Sequence, residues 1–240
     1  MRGRWLTLAI ALGATCLQPW QYLAAQDVAG RLDGRVPANV LRAVQGIAQD
    51  AEKRGLPVEP LIQKAIEGGA KGVADDRVIA AVRVLASRLG QAQSALRDAG
   101  ISAPNAEALE GGADALNAGL NPRDIRDLGR VSRPPYDPAL TLRVAATLTA
   151  LGVPPQQGLR LMEHMIQAGR EPTELLGLPN EVQVDMTRGA TAEQAAETLI
   201  TGKEAESPEA HQGQEGQHGE ADQHGQQDQQ GQQGPSVRKP

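Results

Sequence analysis

The chain has 240 residues, with 24 basic against 29 acidic side chains and a formal charge of −5 at neutral pH. That balance is too mild to steer a charged partner, and it lacks the basic surplus of a nucleic-acid binder. Aromatic residues make up 2% of the chain and phenylalanine is absent, so no platform exists for stacking bases or sugar rings, and the single cysteine excludes a haem-attachment motif.

The first 25 residues have the layout of a secretory signal peptide. Arg2 and Arg4 precede an apolar run from Trp5 to Leu17, then Gln18 and Pro19, and a small-residue exit at Leu23-Ala24-Ala25. The run is 13 residues long, short of the ~20 that span a bilayer as a helix. The expectation is cleavage after Ala25, export out of the cytoplasm, and no membrane span in the mature chain. Leu23 stands where a small side chain is usual. Cys16 lies inside this segment; Gly13-Ala14-Thr15 before it lacks the leucine of a lipoprotein acceptor, which favours an ordinary cysteine lost with the signal.

Residues 26–202 read as one all-helical body. Val40, Leu41, Val44, Ile47, Ala48 and Ala51 form one apolar stripe at helical spacing. Val58, Leu61, Ile62, Ala65, Ile66 and Gly69 form a second, and Val78, Ile79, Val82, Leu85, Ala86 and Leu89 a third. None alternates with period two, so strands are not expected. Asp75 and Asp76 open the third stripe, where carboxylates can accept from orphan N–H groups and meet the positive end of the helix dipole.

Between stripes a Gly–apolar–Pro stop recurs, at Gly55-Leu56-Pro57, Gly152-Val153-Pro154 and Gly177-Leu178-Pro179, with looser versions at Gly100-Ile101-Ser102 and Gly119-Leu120-Asn121-Pro122. Glycine takes the left-handed conformation that ends a helix, the apolar residue folds back, and proline suits the next first turn. The first and third stripes repeat at an offset of 38, and Glu67-Gly68-Gly69-Ala70 is echoed by Glu110-Gly111-Gly112-Ala113. Further units run from Gly152 through Met162 to Gly169, and from Gly177 through Val182 and Met186 to Gly189. The pattern is degenerate, so a compact bundle and a short solenoid both stay open. The paired prolines in residues 131–138 forbid helix and make that segment a loop or a hinge, with the loop preferred. A core of Leu, Val, Ile and Ala without large anchors predicts modest stability.

From residue 203 to 240 the composition turns to Gln, Gly, Glu and His. Seven acids stand against three bases there, which accounts for −4 of the formal −5. Such a segment lacks the apolar side chains to offset its ordering entropy, and disorder is expected. His211, His218 and His224 sit beside Glu215, Glu220 and Asp222, a donor set suited to Zn²⁺, Cu²⁺ or Ni²⁺ but at spacings that match no structured site.

Within the body, His164 falls opposite the apolar face of its helix and is expected in water. GGAKGV and GGADAL lack the spacing, the GK[ST] and the preceding strand of a phosphate loop, and read as helix ends or close helix packing. Asp124 and Asp127 read as cap and surface carboxylates, and no serine-nucleophile motif occurs. No catalytic, cofactor or metal residue is assigned. The leading functional expectation is a non-enzymatic interaction or scaffold protein whose grooves between helices take a protein or peptide partner. The alternative is a metal-binding or buffering protein acting through the histidines of the tail, with a hydrolase as a third reading. An apolar groove would favour the first, and a deep pocket of clustered Asp, Glu or His the third.

Overall fold

A computed structural model describes residues 28–202; residues 1–27, with the expected signal peptide, and the tail from 203 onward lie outside them. After helical backbone at 28–32 come α1 (Ala38–Lys53), α2 (Glu59–Ala70), α3 (Asp75–Asp98), α4 (Ala106–Ala118), α5 (Pro122–Val131), α6 (Pro138–Ala150), α7 (Pro155–Gln167), α8 (Pro172–Thr187) and α9 (Ala192–Thr201). No strand occurs among the described residues.

The stripes read from the sequence become the core. Val40, Val44, Ala48 and Ala51 of α1, Leu61, Ile62 and Ala65 of α2, and Val78, Val82, Ala86 and Leu89 of α3 are all buried. Burial of aliphatic surface at about 25 cal/mol per Å² drives these faces together. The choice between bundle and solenoid closes in favour of the bundle. Helix α3 packs on α1, α2, α4 and α5, and α6 packs on α4, α5, α7 and α8, so contacts reach well past sequence neighbours.

The glycine stops work as expected at most junctions. Gly55 takes φ 70°, its N–H donates to the Glu52 carbonyl, and the Leu56 N–H reaches back to the Ala51 carbonyl at 2.9 Å. This closes α1 and folds Leu56, 4% exposed, onto the core. The same back-reaching bond joins Ile101 to Leu96, Leu120 to Ala115 and Val153 to Leu148.

Gly177-Leu178-Pro179 is the exception, and the expected stop there is overturned. Helix α8 starts earlier, at Pro172, where the Glu171 N–H donates to the Glu174 carboxylate at 3.0 Å, and it runs straight through Pro179. A proline inside a helix costs about 3 kcal/mol. Burying Leu175, Leu178 and Val182 along one face of α8 returns roughly 1.5–3 kcal/mol each and exceeds that cost.

Both Gly-Gly pairs are packing surfaces, and the first also forms the last turn of α2, where the Gly72 and Val73 N–H groups reach back to the Gly69 and Gly68 carbonyls. A Cβ on Gly112 would stand 2.6 Å from the Ala92 Cβ of α3, and one on Gly111 would stand 3.1 Å from the Ala139 carbonyl oxygen of α6. The bare backbone of α4 is thus wedged between two neighbours. At the first pair, a Cβ on Gly68 would meet Val78 at 2.7 Å, and one on Gly69 would meet the Arg35 carbonyl oxygen at 2.7 Å.

Within the expected break at 131–138, residues 132–137 form an irregular connection between α5 and α6. The half-buried Tyr136 donates its hydroxyl to the Arg170 carbonyl at 2.9 Å, and the buried Ser132 and Thr141 hydroxyls bond each other at 2.7 Å. Beyond it, α6 turns back past α5 onto α4, and α4 and α6 make the most extensive helix–helix contact of the described body.

Candidate functional site

Helices α1 and α3 run parallel. The Asn39 amide donates to the Asp75 carboxylate at one end, and the buried Gln93 amide donates to the Arg54 carbonyl at 3.1 Å at the other. Between them lies a groove of about 490 Å³. One wall carries Ile47, Asp50, Ala51 and Arg54, at i, i+3, i+4 and i+7 of α1 and its C-cap. The other carries Arg83, Ala86, Ser87, Gly90, Gln91 and Ser94 of α3. Eleven residues separate Arg83 from Ser94, so the groove extends for about 16 Å. Its floor is aliphatic, its rims are polar, and Val84 stands 47% exposed beside the Gln91 rim.

Charge in this groove is unbalanced. Among the described residues, Arg83 and Arg54 make no ion pair and no side-chain hydrogen bond, whereas Asp50 is already matched by Lys53 at 3.3 Å. Arg54 is nonetheless well placed. Its backbone is fixed by Gln93, and its guanidinium crosses the groove to lie over Gly90, where a Cβ would come within 2.1 Å of Nη2. The missing side chain at 90 is what lets the guanidinium rest against α3, with Nη2 the nearest atom and Nη1 standing farther off.

A second recess, of about 510 Å³, opens between α5 and α7 beside Asn121, Asp124, Asp127, Gln156, Arg160 and Glu163. Asp124 is 5% exposed, a buried carboxylate that invites a catalytic reading. Its oxygens are consumed by the fold. Oδ2 accepts from the Asn121 N–H and Oδ1 from the Gln156 amide, both at 2.9 Å, while the Asn121 side chain caps the Arg123 and Asp124 N–H groups. This is a reciprocal capping box that also pins α5 to α7. Asp127 is exposed and paired with Arg126 at 2.8 Å and with Arg130 at 3.5 Å. The expectation of cap and surface roles therefore describes both carboxylates.

His164 lies exposed on α7, as its spacing predicts. Asp75 and Asp76 occupy the first turn of α3 but do not cap it through a side-chain bond; the cap position is Ala74, and Asp75 is engaged by Asn39 instead. Cys16 and the histidines and acids of the tail lie outside the described residues. Among the described residues no group of three or more His, Cys, Asp or Glu side chains is close enough to hold a metal ion, and no helix is long and apolar enough to cross a membrane.

Two electrostatic features stand apart from both openings. Glu59 at the start of α2 is held at about 2 by the hydrogen-bonded Arg31 guanidinium and by the Gln63 amide. On α4, burial pushes Glu110 and Asp114 above the usual carboxylate range, and the Arg143 guanidinium only partly opposes it. Sequence reading passed over the groove because residues 83, 87, 90, 91 and 94 form a polar stripe that looks like an ordinary solvated face. Their register with Arg54 exists only once α1 and α3 lie side by side.

No protein-family model, curated protein or solved structure matches this chain.

Proposed function

We propose that this protein is an exported, non-enzymatic helical interaction module, and that the α1–α3 groove receives a segment of a partner protein. The observation that carries the reading is the groove itself: an aliphatic floor between polar rims, about 16 Å long, formed by two packed helices rather than by a mobile loop. That shape suits a helix or extended peptide laid lengthwise, with close contact at Ala51 and Ala86 and polar contact at the rims. The recess beside α5 supports a catalytic alternative less well, since its buried carboxylate already serves two structural bonds.

The test places a photo-crosslinking residue at Ser87 or Ser94, with a control at the exposed His164 on α7, in the full-length protein expressed with its own N-terminus. The expected result is one discrete adduct from both groove positions, absent from the control, in the extracytoplasmic fraction, with the chain beginning after Ala25. Equal labelling from all three positions would refute the groove as the interface. A cytosolic protein with its N-terminus intact would refute export.

A further inference from the structure

We propose that the occupant of the α1–α3 groove is an acidic amphipathic helix whose two anchoring carboxylates stand two turns apart, at i and i+7, one for each groove arginine. The inference rests on the reading of that groove as a protein interface and specifies the partner's chemistry. Three observations lead to it.

The first is charge. The groove holds two guanidinium groups that no carboxylate of the described residues pairs, and its one acid is offset by Lys53. A guanidinium left open on each wall favours an anionic guest and disfavours a basic one.

The second is spacing. The Arg54 guanidinium lies over Gly90, and Arg83 is seven residues earlier on the same face of α3. At 1.5 Å per residue, position 83 and the Gly90 position that Arg54 covers lie about 10 Å apart along the groove axis. A guest helix lying lengthwise presents side chains at the same interval when they are seven residues apart, because i and i+7 return to one face. Carboxylates closer together would leave one arginine unmatched.

The third is the floor between the arginines. Ala51, Ala86 and Ser87 are small, and Ile47 is aliphatic. Aliphatic side chains of the guest at i+3 and i+4 would fall there. A small free anion has no use for such a floor, which is why the chemistry points to a protein helix rather than to inorganic phosphate.

The probe is a labelled, helix-favouring peptide of about 15 residues, long enough to populate helix in water, with Glu at i and i+7 and Leu or Ala at i+3 and i+4. A second peptide of identical composition carries the same two Glu on the opposite face, and a third has Gln in their place. Fluorescence anisotropy with the intact protein should show the first binding best. Relative to it, each lost pair should weaken binding roughly two- to fivefold, the range of exposed ion pairs. Arg83→Gln should do the same. Gly90→Ala, which keeps both arginines but displaces the Arg54 guanidinium, should also weaken the first peptide while leaving the Gln peptide unchanged; circular dichroism confirms that the variants fold. Equal binding of all three peptides, no binding of the first, or indifference to Gly90→Ala would overturn the proposal. Groove crosslinks to a partner lacking this acidic pattern would overturn it too, while leaving the interface reading intact.

Discussion

Gly112→Ala is the substitution that tests the packing of this body most directly. An added methyl would stand 2.6 Å from the Ala92 Cβ, about 1 Å inside the ordinary contact distance of ~3.5–4.0 Å. Both neighbours are backbone-anchored, so relief requires α4 and α3 to separate. Alanine returns about 1 kcal/mol of helix propensity, while overpacking costs about 1–3 kcal/mol. The expected net is a loss of about 1 kcal/mol, seen as a fall of roughly 2–4 °C in Tm for a body of this size. Urea and thermal unfolding by circular dichroism measure it. Gly46→Ala is the control: this helical glycine is exposed, with nothing within 4 Å of its added Cβ, and should gain about 0.5–1 kcal/mol. Combining Gly112→Ala with Ala92→Gly transfers the methyl across the interface, and the cycle should show a favourable coupling of about 1 kcal/mol. A stabilising Gly112→Ala, or strictly additive effects, would refute the close approach of α4 and α3.

Glu59→Gln removes the carboxylate that Arg31 and Gln63 hold at about 2. Because folding lowers this acid's affinity for protons, its contribution is present at neutral pH and fades as pH falls from the usual carboxylate range toward 2. Both side chains are substantially exposed, so the loss at pH 7 should be about 0.5 kcal/mol, vanishing near pH 2 in urea melts. Glu110→Gln should behave in the opposite sense, since burial raises the pKa of this acid. The variant should be more stable than the parent at pH 7 by about 0.5 kcal/mol, with the difference gone below about pH 4. Asp124→Ala breaks the capping box and the tie to Gln156 and should cost about 1–2 kcal/mol. Hydrogen exchange should then rise first in α5, and unchanged protection there would count against the structural role of this carboxylate.

Much of the architecture was legible because it depends on local periodicity. Val40 to Ala51, Val58 to Ile66 and Val78 to Leu89 turned inward because three- and four-residue spacing puts them on one face of any helix they form. Gly55 ended α1 through a bond pattern that only the six consecutive residues 51–56 need to make. Gly177-Leu178-Pro179 has the same letters and a different outcome, since the helix around it was started upstream and its face was buried against α6. Local grammar yields where tertiary burial is larger. Asp124 shows a milder version: its cap role follows from Asn121 three residues before it, while its burial and its bond to Gln156 depend on α7.

What the amino-acid order determined alone is therefore the helical class of the described body, its inward faces and most of its stops, each set by interactions within one or two turns. The tertiary structure alone decided that the rods close into a bundle, that the paired glycines serve close approach, and that Arg54 crosses to Gly90 beside Arg83. Those features join residues from 10 to 36 positions apart in the chain, and no pattern within a turn or two specifies which helix faces which.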